Sequence, residues 1–171
     1  MTTISEALLS RRRHIDHLKF NQSLYRVNKQ QVHDSIVQSW QRSAQFVPLE
    51  RAAAPVLDAA PCHDTWQASG YGQAIALCQQ EINDLVRETG MVAAIADAGS
   101  RILWTGCSAN MRDPAEQVHF VANAMWDEHS VGTNALALAL RSRQSVCVFS
   151  NEHLCAVCRT GCVMPPRLCI R

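Results

Sequence analysis

Four of the chain's 8 cysteines lie between Cys155 and Cys169, and with His153 the first three spell His-x-Cys-x-x-Cys-x-x-x-Cys. Thiolates and an imidazole at such short loop spacing can converge on one ion. His153, Cys155, Cys158 and Cys162 are therefore candidate ligands for zinc or an iron–sulfur cluster. The usual support, a second Cys pair at a distance, is missing, although Cys169 could serve. Two acid–imidazole neighbours stand upstream and alongside, Glu128-His129 and Glu152-His153. Such pairs suit acid–base or metal chemistry, and they also cap helices and brace loops. Trp104 and Trp126 offer aromatic surface with one polar handle each, fit to wall a small-ligand cavity or to fill a core. No nucleophile–base–acid set is present, nor a G-x-x-x-x-G-K-[ST] phosphate loop, nor any Gly-Lys pair. The chain reads as a non-enzyme.

The elements that must hold these groups follow from apolar periodicity. Ile4, Leu8, Ile15 and Leu18 predict a helix over Ile4–Phe20, and Val32, Ile36 and Trp40 predict another over Lys29–Phe46. Pro48 and the Ala/Pro-rich Ala52–Pro61 read as a connector. Ile75, Cys78, Ile82, Leu85 and Val86 share one face of a helix over Gly72–Glu88, stopped by Thr89-Gly90. Met91–Ala96 and Arg101–Thr105 read as a strand hairpin turned by Asp97-Ala98-Gly99-Ser100. Asp113-Pro114 opens a helix to about Asn123, and Trp126–Val131 is a loop. Gly132-Thr133-Asn134 leads into a helix over Ala135–Ser142, with Thr133 or Asn134 as its cap. Gln144–Phe149 alternates as a last strand. This order predicts an α+β domain, a sheet with packed helices.

Composition sets outer bounds. A chain of 171 residues, 47% of them hydrophobic, has room for one domain and additional segments. A net charge of +1 argues against a protein that coats nucleic acid, and Arg11-Arg12-Arg13 reads as the solvated face of a helix. No apolar run reaches membrane-spanning length and Met1–Ser10 lacks signal-peptide character, so the expected location is the cytoplasm, off the membrane. In that reducing compartment Cys62, Cys78, Cys107 and Cys147 are read as small buried hydrophobes.

Three segments together carry a resemblance: Ile36-Val37-Gln38-Ser39-Trp40-Gln41-Arg42-Ser43, the Val92–Gly106 hairpin, and Trp126–Ala135 followed by Glu152-His153. Their order and spacing, GTNA and Glu-His above all, resemble the N-terminal sensory region of sigma-54-dependent transcriptional activators such as the acetoin catabolism regulator. The resemblance runs from about Val32 to His153. It implies a GAF-type sensor domain preceded by helices, followed in the family by an ATPase and a helix-turn-helix, neither of which these residues contain. It also implies a small organic effector such as acetoin, with Trp104, Trp126, Glu128, His129, Asn134 and His153 as candidate ligand-binding residues and no resident cofactor. Direct DNA binding is not expected; a homodimer through the N-terminal helices is open to the chain, though nothing in the sequence demands it. The expected division is 1–60 for the helical segment and linker, 72–153 for a partial GAF-like domain, and 154–171 for a Cys-rich tail.

The tail admits a second explanation beside metal binding. The family shows a W-x-C-x-A-A-P pattern where this chain has Arg159–Arg167. Permitted codons for those residues, read from the third base, give Asp-Trp-Val-Cys-Tyr-Ala-Ala-Pro. A frameshift near Cys155–Arg159 would then replace the last strands of the GAF sheet with an out-of-frame tail. The expected consequence is an exposed sheet edge and poor solubility.

Overall fold

The computed structural model describes residues 33–48, 50–58, 66–67, 69–148, 152–155 and 168–170. The predicted helix Ile4–Phe20, the candidate ligands Cys158 and Cys162, and Cys62 lie outside them. The architecture is α+β, as the element order predicts.

Helix α1 spans Asp34–Ser43, inside the longer stretch predicted. It starts where the His33 ring accepts the Ser35 N–H, satisfying one of the donors a helix start leaves open. Its four-residue apolar row buries Ile36 and Trp40 in the same core as Val131, Leu136 and Leu154. The helix is thus part of the domain's core. The stretch read as a connector also joins the domain. Ala54 N–H donates to Val118 O (3.1 Å), Met125 N–H to Pro55 O (2.9 Å) and Leu57 N–H to Asn123 O (3.0 Å). Its small and Pro residues hold an extended backbone whose polar groups pair with the 118–125 segment instead of with water.

The single helix predicted over Gly72–Glu88 is two, α2 (Gly70–Leu77) and α3 (Gln79–Thr89), jointed at Cys78 (φ −102°, ψ 10°). The Ser69 hydroxyl caps α2 by accepting the Gly72 N–H (3.0 Å). Gly90 ends α3 in the left-handed region (φ 65°), as its position predicts. Strands β1 (Val92–Ala96) and β2 (Ile102–Cys107) form the predicted antiparallel hairpin, with Val92 opposite Cys107 and Ile95 opposite Trp104. Asp97 shapes its turn by accepting the N–H groups of Gly99 (2.8 Å) and Arg101 (2.9 Å).

Helix α4 (Ala109–Gln117) begins earlier than the Asp113-Pro114 signal predicted and carries Pro114 inside it. Trp126–Val131 is less irregular than expected, since Glu128–Val131 makes a one-turn helix, α5. Helix α6 (Ala135–Ser142) has the predicted bounds and packs on strand β3 (Val146–Val148). The tail supplies strand β4 (Leu168–Ile170), antiparallel to β3 with Cys147 opposite Cys169. Where the sequence predicted lost C-terminal strands, this short apolar triplet pairs with one edge of β3.

The cysteines correct one expectation. Cys78 is exposed and Cys107 half-buried, while Cys147 is half-buried and disulfide-bonded. None of the three is a fully buried hydrophobe, because the joint at Cys78 turns its side chain away from the sheet and the strand cysteines lie in short sheets with partly open faces. Among the described residues no helix is long and apolar enough to cross a membrane.

Candidate functional site

The two segments outside the hairpin that carry the family resemblance meet at one junction: α1, and the Asp127–Asn134 turn with the Glu152-His153 pair that follows it, extended by Leu154-Cys155. The turn is built first. Asp127 caps α5, its Oδ1 accepting the N–H groups of His129 (2.7 Å) and Ser130 (3.0 Å). Gly132 then adopts φ 76°, ψ −160°, a backbone region open essentially to glycine alone. A Cβ there would lie 3.1 Å from Cys155 Sγ and 3.2 Å from Leu154 Cβ, so the glycine also lets the 154–155 segment approach. Asn134 caps α6 by accepting the Ala137 N–H (3.0 Å). Its amide donates to the carbonyls of Trp126 (2.9 Å) and Gly132 (2.8 Å), tying the cap to the turn's own backbone.

Helix α1 is fastened onto this turn by polar groups spaced along one face. Arg42 lays its guanidinium fork on Glu128, Nε to Oε2 at 3.0 Å and Nη2 to Oε1 at 2.7 Å. The wholly buried Ser39 hydroxyl bonds the Glu128 carboxylate and lies 2.9 Å from the Thr133 hydroxyl. A hydroxyl has one proton and a carboxylate accepts only, so Ser39 donates to Glu128 and accepts from Thr133. Next to Ser39, Trp40 Nε1–H donates to Glu152 O (2.6 Å). His153 Nδ1 lies 3.2 Å from Thr133 O. A carbonyl only accepts, so the imidazole proton sits on Nδ1. Burial alone would raise the Glu128 pKa. The Arg42 and Ser39 hydrogen bonds, with the charges of Arg42 and Arg141, outweigh it and hold the carboxyl below its ordinary value.

The candidate ligand residues therefore divide. Glu128, Asn134 and His153 come together at the junction, with their polar atoms engaged within the protein. Trp126 is buried below them, Nε1–H donating to His119 O (3.1 Å) and its ring edge-on to Phe120. His129 points away, 72% exposed, its ring tilted 39° to that of Phe46 with the centroids 4.6 Å apart. Trp104 is apart from the junction, half-buried on β2 with its ring folded over Gly106. Of the candidate metal ligands, Cys155 is buried against Gly132 and His153 serves Thr133. Among the described residues no cluster of three metal-ligating side chains occurs. Sequence reasoning missed Ser39 and Arg42. Their signal was the i, i+3 spacing that puts both on one face of α1 beside Trp40.

No family model matches the chain. A stretch of 66 residues, 39% of the chain, is 42% identical to part of an uncharacterized 47.3 kDa protein in the thcA 5' region of Rhodococcus erythropolis. That match spans only 15% of the relative's own length. The fold is similar to a chain in the crystal structure of the E. coli DhaR(N)–DhaL complex, with a TM-score of 0.62 and 19% sequence identity. The similarity covers 73% of this chain and 43% of that one, and at this identity it is a likeness of fold.

Proposed function

We propose that the chain is the small-molecule sensor part, of GAF type, of a sigma-54-dependent transcriptional regulator. It works as a binding module and not as an enzyme, and the ATPase and DNA-binding activities of such a regulator belong to modules other than residues 1–171. The observation that carries this reading is the likeness, over 73% of the chain, to a structure of DhaR(N), the sensory part of a regulator. It is supported by the meeting of Ser39–Arg42, Asp127–Asn134 and Glu152-His153, which lie in the segments whose spacing resembles the activator family. DhaR(N) was crystallised with a protein, DhaL, so a protein partner for this scaffold belongs to the same reading. The effector class is a small uncharged hydroxyketone or diol, acetoin being the member the resemblance implies.

Calorimetric titration with acetoin and a panel of small diols, diketones and hydroxyketones tests the sensing. The expected result is saturable heat from at least one compound, together with a rise in thermal stability. At a hundredfold excess over Kd, mass action gives about 2.7 kcal/mol of stabilisation. Neither heat nor stabilisation across the panel sinks the small-molecule reading. The frameshift is part of the proposal and has its own test. Reading the DNA beyond the codon for Arg171 in the alternative frame should give an ATPase-like open frame, and a frame closed by stops removes it.

A further inference from the structure

Among the described residues strand β1 is paired on one side alone, with β2. The phase of that ladder fixes which backbone groups face the open side. Just before the strand, Met91 O accepts the Ser108 N–H (3.3 Å), and just after it Asp97 N–H donates to Arg101 O (2.9 Å). Both residues turn toward β2, and the alternation of an antiparallel ladder turns Ala93 and Ile95 the same way. The N–H and C=O groups of Val92, Ala94 and Ala96 therefore point outward, and no described residue bonds them. β2 is not open in this way at Ile102, whose N–H donates to Ala124 O (2.9 Å) and whose C=O accepts the Asn123 N–H (2.7 Å). β1 also lacks the devices that blunt an edge. Val-Ala-Ala-Ile-Ala carries no charge and no proline. The irregularity of the hairpin falls on β2, where Leu103 is left over between the partners of Ile95 and Ala96.

We propose that this edge pairs with the same edge of a second copy of the chain, antiparallel about a twofold axis at Ala94. The axis sets Ala94 opposite Ala94, and Val92 opposite Ala96 of the other copy. Every outward residue then meets an outward residue, and each such pair exchanges two N–H···O bonds. That is the self-complementarity a twofold interface requires, and it joins the two hairpins into one sheet in the order β2–β1–β1–β2. With the axis normal to the sheet, Val92, Ala94 and Ala96 of both copies stay on one face. The row that packs on each core thus continues across the contact. The ends of the strand also select a second copy in this orientation. Met91 and Asp97 turn inward, so the open stretch stops at both ends together, and a strand of the same length and phase satisfies it. Antiparallel pairing sets Asp97 beside Met91 of the other copy. Aligned parallel, the two Asp97 carboxylates would be neighbours, and like charges there destabilise. Half-buried Ala93 and Ile95 gain cover on the opposite face. The contact is short, so the dimer is weak and concentration-dependent. It uses no group of the Arg42–Glu128 junction and does not depend on what the domain senses.

Sedimentation across a concentration series, with residue-resolved amide hydrogen exchange, tests the proposal on the full chain. The expected result is a reversible dimer in which the Val92, Ala94 and Ala96 amides exchange about tenfold or more slowly than in the monomer. The Ala93 and Ile95 amides, bonded to β2 in both states, should be protected throughout. Ala94→Pro removes the N–H at the axis, which the β2 ladder does not use, and proline is tolerated on an edge. It should weaken the dimer by about tenfold or more while Ala93 and Ile95 stay protected. Ala96→Pro removes another outward N–H and carries the same expectation should Ala94→Pro fail to fold. A chain monomeric at every concentration overturns the proposal, as does a dimer that ignores the proline variants. Protection of the three outward amides that is already complete in the monomer shows an edge covered by the same chain, and overturns it equally.

Discussion

The Arg42–Glu128 pair holds α1 to the turn, and its strength can be worked from its geometry. Two charge-assisted bonds, 3.0 and 2.7 Å, join a side chain 31% exposed to one 11% exposed. Hydrogen bonds to charged groups contribute about 1.5–3 kcal/mol net, and the partly solvated guanidinium places this pair near the low end. Arg42→Ala should therefore cost about 1–2 kcal/mol. Glu128→Ala should cost about 2–3 kcal/mol, because it also strips the buried Ser39 hydroxyl of its acceptor. In a double-mutant cycle followed by urea unfolding at neutral pH, the coupling should be about 1–2 kcal/mol. The second substitution should add little once the first is made.

The pH dependence has a definite sign. Glu128 titrates below its ordinary value in the folded chain, so its protons leave earlier there than in the unfolded chain. Its contribution is then complete above the unfolded glutamate value of about 4.3 and is lost as pH falls through the folded value. The coupling should be level from pH 7 to about pH 5 and fade below about pH 4. Single variants that add without coupling, or a coupling that grows on acidification, would refute the geometry.

The rest of the junction makes three further expectations. Gly132→Ala combines backbone strain at φ 76° with contacts of 3.1 and 3.2 Å at Cys155 and Leu154; it should cost about 2–4 kcal/mol in urea unfolding. Asn134→Asp keeps the α6 cap but turns a carboxylate on the carbonyls of Trp126 and Gly132, which should cost about 2–4 kcal/mol at neutral pH. Part of that loss should return as the carboxyl takes up its proton in acid. Trp40→Phe keeps the aromatic packing and removes the donor to Glu152 O; it should cost about 1–2 kcal/mol and speed amide exchange across Glu152–Cys155.

What the sequence disclosed was local. Helix α6 was legible to the residue because an Asn cap, an Ala/Leu run and a break follow one another within one short window. The hairpin was legible because an apolar run meets an Asp-Ala-Gly-Ser turn. Helix α4 was misplaced because Asp113-Pro114 imitates a helix start. The actual start needs only Ser108 in an extended conformation, and Pro114 falls where the carbonyl it leaves unpaired is that of Asn110, near the exposed beginning of the helix. In α2–α3 the periodicity revealed the apolar stripe but not how much of it β2 would cover. Leu85 and Val86 look alike in sequence, yet one is 61% and the other 4% exposed. The site was half-legible for the same reason. Glu128 and His153 announce themselves by type, but their partners Arg42 and Thr133 stand 86 and 20 positions away, and no local pattern encodes such pairings.

That division bears on where an effector can act. Asn134 has its oxygen committed to the α6 cap and its amide to two carbonyls. A ligand that recruited Asn134 would leave buried backbone groups unsatisfied, at about 1–3 kcal/mol each. Glu128 is held by Arg42 and Ser39 on the same terms. These residues resist direct ligation because they fasten α1 to α6 through one turn. A perturbation that shifts either helix must stretch the Arg42–Glu128 fork or the Trp40–Glu152 bond. The GTN turn is therefore a mechanical joint between the N-terminal helix and the α6–β3 layer. On the sensor reading proposed above, a ligand seated elsewhere against α6 would act on α1 through these bonds, without touching them.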